Sequence, residues 1–348
     1  MYAGVPLSEE MAYARLIDRL EAPASPTVTT LPDGSVDHFC SLADSVGPST
    51  HTREAFSRAI TGDRSSFRLD VESVESGGQS VNAALQLHAL GSAVTAYGHF
   101  DAEIFTSLPF ETVSMGTPAD VYVLSFDDRD LMLVSDGDVG DWTLERLESV
   151  TDLDAAFDAD AICCSNWAGV PGLEDAFHRL GDATFPRRPF VFDPGDVVGC
   201  APGELESMCA ALSALQETFD VVFNANREEI RATASILPGS LEDDGERLLA
   251  IREELGITAA VMHAKKEAAT ATADGLCTLP NLQVDRPTRQ AGGGDRFSGG
   301  LGYALARGWD WETATACGNA CASYYVESGT TGDPEELIAF LSDRSLRA

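Results

Sequence analysis

Short apolar runs alternating with helical stretches dominate the second half of this 348-residue chain and constrain its fold more than any other feature. From residue 150 onward, ADAICCSN, RPFVFDPGD, FDVVFNANREE and ITAAVMHAKK each join a strand-like run to a polar or glycine-bearing end. Alternating β and α segments predict an α/β fold with a mostly parallel central sheet and helices on both faces, whose ligands bind outside the carboxyl ends of the strands. The polar ends Asn166, Asp193, Asn226 and Lys265 are therefore expected on one rim.

The first half is less regular. A helix is expected over roughly residues 8 to 21, with Ser8 as its N-cap, stopping before the proline-rich APASP; TVTTL reads as the strand that follows. Residues 41 to 68 read as irregular and carry His51, Arg53, Arg58, Arg64 and Arg68. In SGGQSVNAALQLHALG, Gly77 and Gly78 precede a helix that Gly91 closes, and SAVTAYG reads as the next strand. ADVYVLSFDDRDLMLVSD reads as a hairpin turning at Asp127, Asp128 and Arg129. No internal repeat or low-complexity linker divides the chain. Residues 1–348 thus read as one domain with a small antiparallel β lid, its elements near 37–76 and 117–136.

A formal charge of -33 argues against nucleic acid or an anionic membrane as partner. Lys265 and Lys266 are the only lysines among 23 basic residues, and with a pI near 4.3 this composition predicts a halophilic protein of a high-salt cytoplasm. The first 22 residues hold carboxylates where a signal peptide needs positive charge, and no apolar run reaches membrane-spanning length, so a soluble, cytoplasmic protein is expected. The eight cysteines lack metal-site spacing and read as buried thiols.

The chemistry concentrates in AGGGDRFSGG, residues 291–300, directly ahead of LGYALARG. A helix start leaves N–H groups unpaired and carries partial positive charge, so bare glycine backbone there makes an anion pocket. Gly292, Gly293 and Gly294 supply that backbone, while Phe297, Leu301 and Leu305 recur every four residues as a core stripe. Asp295 has two readings: a first-turn acid favoured by the helix dipole, or a base placed to take a proton from a hydroxyl attacking a bound phosphoryl group.

GGQSVNAALQLHALG, FNANREE, and GGGDRFSGGLGYALARG followed by ATACGNACASYYVESG occur in the order and approximate spacing of the ribokinase-like (PfkB) carbohydrate kinases, over residues about 27 to 332. The chain resembles a haloarchaeal-type member of that family. The resemblance implies a nine-stranded or similar α/β sandwich with a β lid, and transfer of the terminal phosphate of ATP to a sugar-type hydroxyl. It implies Asp295 as catalytic base with an anion hole at Gly292 to Gly294. It places Asp37, Gly77, Gly78 and Asn82 on the sugar, and Asn226, Lys265 or Lys266, and Asn319 near the nucleotide. Glu229, in an Asn-x-x-Glu motif with Asn226, arranges Mg2+ through water. A homodimer through the lid is also implied.

Several positions depart from the family pattern. Arg289 and Gln290 replace the Asp-Thr ahead of the glycines, and an arginine there could stand in for an activating monovalent cation. Gln79 replaces an asparagine, and Ala264 and Glu267 replace two glycines of a phosphate loop. The arginine-rich segment lies between Asp37 and Gly78, so Arg64 and Arg68 suggest a phosphate-bearing sugar. The family includes a ribose-1-phosphate kinase, making ribose-1-phosphate the specific expectation. Alternatives are a nucleoside kinase, a ribokinase- or fructokinase-type sugar kinase, ketodeoxygluconate kinase or phosphofructokinase. A nucleotide- or sugar-binding protein without catalysis is the non-enzymatic reading.

Overall fold

The computed structural model describes residues 7–42, 52–62, 65–127, 130–284 and 286–345. The expected first helix spans Leu7–Leu20 and the first strand, β1, spans Thr27–Leu31. The remaining strands are β2 Ser35–Leu42, β3 Leu69–Gly77, β4 Ala93–Gly98, β5 Glu111–Ser114, β6 Ala119–Leu124 and β7 Leu131–Ser135 in the first half. β8 Ala161–Ser165, β9 Pro189–Asp193, β10 Asp220–Asn226, β11 Ala259–His263, β12 Glu267–Thr272 and β13 Gly275–Pro280 follow.

Nine strands form one sheet in the order β13-β12-β11-β10-β9-β8-β1-β4-β5. Every neighbour pair from β5 to β11 is parallel, and β12 and β13 add an antiparallel edge. The apolar runs are continuous because both faces of these strands are covered. Ile162 and Cys164 of β8 join one core with the helices Leu173–Gly181 and Pro202–Leu215. Ala161 and Cys163 join the opposite core, with Leu87 of the helix Gln79–Ala89, Phe297 and Leu301 of Gly293–Ala306, and Cys317 of Trp311–Ser328. All eight cysteines are free, six of them buried, and burial alone pushes the Cys163 thiol up to about 12.

A separate four-stranded sheet, in the order β3-β2-β6-β7, forms the lid. β2 pairs antiparallel with β3 and parallel with β6, and β6 pairs antiparallel with β7 as the hairpin reading expected. Asp128 and Arg129 of that hairpin lie outside the described residues. The segment read as irregular contains a helix, Arg53–Thr61, capped by Thr52, whose Oγ1 accepts from the Ala55 N–H (3.2 Å). Phe56 of this helix packs on Cys40, Leu124 and Phe126, closing a small core inside the lid. No helix among the described residues is long and apolar enough to cross a membrane.

Candidate active site

The carboxyl ends of β8, β9, β10 and β11 carry Asn166, Asp193, Asn226 and His263 in neighbouring positions. The Asn166 N–H donates to the Asp193 carbonyl (2.9 Å), and Asn226 sits opposite His263 in the β10–β11 register. Asn166 holds φ at 71°, a left-handed conformation that asparagine tolerates better than most residues. The expected rim is thus formed, with Lys265 and Lys266 exposed on the turn beyond β11.

The helix Gly293–Ala306 begins at this rim behind Gly292, which has φ 86°. The Gly293 N–H turns back to the Gln290 carbonyl (3.2 Å), whereas those of Gly292, Gly294 and Asp295 have no partner among the described residues. The open backbone donors are therefore shifted from the expected set, with Asp295 replacing Gly293. Asp295 Oδ2 accepts from the Asn82 amide (2.8 Å), which brings together two residues 213 positions apart. Burial, reinforced by the charge of Asp193, pushes the Asp295 carboxyl up to about 7, against the pull of Arg296 and the Asn82 bond.

Asn82 belongs to the helix Gln79–Ala89, anchored by Asp33 in the middle of the β1–β2 connection. Asp33 accepts from the backbone N–H groups of Gln79 (3.0 Å) and Ser80 (2.8 Å), satisfying two orphan donors of the first turn. The Gln79 side chain donates to Asp193 (3.1 Å). Asp37 lies two residues into β2, accepting from Ser35 Oγ (2.6 Å), and burial raises its pKa. Gly77 passes so close that a methyl group there would fall 2.1 Å from Asp37 Oδ2.

A cavity of about 390 Å³ lies between lid and body, lined by Asp37, Glu75, Asn82, Arg289, Arg296 and Tyr325 among others. Arg289 pairs with Glu75 of the lid (2.8 Å) and stacks over Phe39 at 4.2 Å. Its guanidinium is thus turned toward the lid strands. Arg296 is 4% exposed, donates to Thr331 Oγ1 (2.9 Å) and the Asn82 carbonyl (2.8 Å), and stacks over Tyr325 at 4.6 Å.

Other expected site residues are placed differently. Arg64 lies outside the described residues. Arg68 is exposed just ahead of β3, at the end away from Gly77, and eight strand residues between them span about 26 Å. The strand register therefore keeps Arg68 away from the cavity. Asn319 is 1% exposed, and its amide donates to the Tyr13 hydroxyl (3.1 Å) of the first helix, which in turn donates to the Pro280 carbonyl (2.9 Å).

Asn226 caps the helix Arg227–Ala234, accepting from the N–H groups of Glu228 (2.9 Å) and Glu229 (3.1 Å). Its own N–H donates to Glu229 Oε2 (2.8 Å) and its amide to Glu229 Oε1, so both Glu229 oxygens are engaged. Burial and the charges of Asp193, Asp196 and Asp295 push the Glu229 carboxyl well above its ordinary range. Such crowding of acids calls for a cation, while the engaged oxygens suit an outer-shell role for Mg2+. No group of three or more His, Cys, Asp or Glu side chains among the described residues is arranged to hold a metal directly.

Residues 54–344 match the sequence model of the prokaryotic ketohexokinase family. The chain belongs to that family. It is 28% identical to a ketohexokinase of Haloferax volcanii over 249 residues, a match spanning 69% of this chain and 66% of the relative. A Thermotoga maritima ribokinase superposes with a TM-score of 0.66 at 15% identity, covering 91% of this chain and 99% of that one. An Arabidopsis thaliana ribokinase complexed with ribose and ATP gives 0.67 at 14%, with coverages of 91% and 99%. A Burkholderia thailandensis nucleoside kinase in complex with inosine gives 0.65 at 17%, with coverages of 91% and 97%. These structures share the ribokinase fold, with its large mostly parallel sheet and separate lid.

Family membership adds meaning to residues that sequence reasoning passed over. Asp33, given no role from the sequence, anchors the helix carrying Asn82. Arg296 and His263 had no assigned role, and the only signal was their position next to Asp295 and inside the altered loop VMHAKKEAA.

Proposed function

We propose that this protein is a ketohexose kinase that transfers the terminal phosphate of ATP to a hydroxyl of its sugar. The observation that carries the reading is the bond from Asn82, which lines the cavity that Asp37 of the lid also lines, to Asp295 at the open start of the helix Gly293–Ala306. Asp37, with two acceptor oxygens, holds sugar hydroxyls, and Gly77 leaves room for the ring. Asn82 orients Asp295, which takes the hydroxyl proton as the oxygen attacks the phosphoryl group in line. The open N–H groups of Gly292, Gly294 and Asp295 hold the charge on the transferring group. Mg2+, held through water by Glu229, would neutralise nucleotide phosphate charge. Asn226, Lys265 and Lys266 lie on the rim where the nucleotide is expected, and Asn319 supports that edge from beneath the first helix.

The ribose-1-phosphate expectation rested on an arginine clamp. Arg68 stands away from the cavity, and the two arginines that line it are engaged, Arg289 by Glu75 and Arg296 by Thr331 and Asn82. A neutral ketohexose fits these occupied guanidinium groups better than a sugar phosphate. We also propose a homodimer through the lid, because Val74, Tyr122 and Leu133 lie in one cross-strand row and are exposed. The test of function is ADP release with Mg2+, ATP and molar KCl across ketohexoses, aldopentoses, ribose-1-phosphate and nucleosides. The reading expects ketohexoses to give the highest kcat/KM, and a preference for ribose-1-phosphate or a nucleoside would overturn it.

A further inference from the structure

His263 ends β11 with its ring tilted against Phe297, the centroids 5.2 Å apart. Its Nδ1 lies 3.3 Å from Asn224 Oδ1, at one end of a polar chain beneath the site. The Asn224 amide donates to Ser298 Oγ (2.8 Å), and the Ser298 hydroxyl reaches Asp193 Oδ2 (3.1 Å). A hydroxyl has one proton to give. With that proton directed to Asp193 or to the Gly294 carbonyl (3.1 Å), Ser298 accepts from the amide nitrogen of Asn224, which turns the Asn224 oxygen toward His263. His263 Nδ1 must then carry the hydrogen.

This chain leaves Nε2 pointing at the helix start. A methyl group on Gly294 would come 2.8 Å from it, so only glycine permits this approach. Nε2 has no hydrogen-bond partner among the described residues, and the open N–H groups of Gly294 and Asp295 lie at the same helix start. The charged groups around it are Asp193 on β9, Asp295 on the adjoining helix, Glu229 beyond β10, and Lys265 and Lys266 on its own turn. Burial disfavours the imidazolium and the Asp193 charge favours it, with burial the larger effect.

We propose that His263 contacts the phosphoryl group, its Nε2–H donating a hydrogen bond alongside the backbone donors of Gly294 and Asp295. The contact rests on the phosphotransfer reading above. A phosphoryl group at the helix start places negative charge opposite Nε2 and favours the imidazolium, which takes its proton from solvent when nucleotide binds and returns it when the phosphoryl group leaves. No bond to His263 other than this N–H is made or broken. A charge-assisted donor of this kind fills a place in the loop where the two family glycines are missing.

The test compares His263→Leu, which removes the donor, with His263→Gln, whose amide nitrogen can reach the Nε2 position. Folding of both is checked by thermal melts in molar KCl. His263→Leu is expected to lose on the order of 10²-fold in kcat, the usual effect of deleting one positioned donor, with the sugar KM within about twofold. His263→Gln is expected to recover most of that loss and to flatten the alkaline limb of the kcat–pH profile. Calorimetry of MgATP binding in buffers of different ionisation enthalpy should show proton uptake in the unsubstituted protein that is smaller in both variants. Wild-type kcat in His263→Leu, or equal proton uptake in all three proteins, would overturn the contact. Absence of turnover on every sugar by the unsubstituted protein would count against the kinase reading, and the proton count would still decide His263.

Discussion

Asp295→Asn should separate catalysis from stability, because the same burial that prepares a base also strains the folded state. The carboxyl is pushed up to about 7 from an ordinary value of 3.8. Below pH 3.8 both folded and unfolded chains hold the proton. Between 3.8 and about 7 the unfolded chain loses it and the folded chain keeps it, so stability falls as pH rises, and above about 7 the folded state carries the full cost of the buried charge. At 1.36 kcal/mol per tenfold in proton affinity the span corresponds to at most about 4 kcal/mol; solvent reaching the half-buried group reduces this to about 1–2 kcal/mol. Asparagine keeps the shape and has no such slope. Urea unfolding of both proteins at pH 5 to 8, without Mg2+ and at constant molar KCl, should show the variant gaining about 1 kcal/mol relative to wild type across that range. In the same variant kcat should fall on the order of 10²-fold or more with ATP affinity kept. Parallel stability curves would refute the perturbed carboxyl, and undiminished kcat would refute the base.

Further outcomes follow from the same geometry. Gly77→Ala should displace Asp37, since the added methyl meets Oδ2 at 2.1 Å; kcat/KM for the sugar should fall on the order of 10²-fold while nucleotide binding holds, and an unaltered sugar KM would contradict the role of Asp37. A double-mutant cycle on Arg289→Met and Glu75→Gln, read through the sugar KM, should give coupling of about 0.5–1 kcal/mol, the scale of a partly exposed pair, and zero coupling would remove this link between lid and body. Leu133→Glu should shift sedimentation from dimer to monomer, and an unchanged dimer would place the interface elsewhere.

The central sheet was legible because its strands are buried on both faces and their apolar runs are unbroken, as β8 and β10 illustrate. Asp295 was legible because glycines seldom cluster ahead of a helix that has its own core stripe. The helix Arg53–Thr61 was not, since none of its residues is fully buried and its short apolar face, led by Phe56, packs only on the small core of the lid. Arg68 was assigned to the cavity from its position between Asp37 and Gly78, but closeness in sequence along an extended strand means distance in space. Asp33, His263 and Arg296 make hydrogen bonds to partners 35 to 214 positions away, and no local pattern encodes such pairings.

The most direct test of the central claim is the product itself. The protein, incubated with Mg2+, ATP and a 13C-labelled ketohexose in molar KCl, is followed by 31P and 13C NMR beside its Asp295→Asn variant. The account predicts a ketohexose phosphate, formed in step with ADP by the unsubstituted protein and at least about 10²-fold more slowly by the variant. A phosphate ester formed equally fast by both proteins, or ADP released without any ketohexose phosphate, would contradict it.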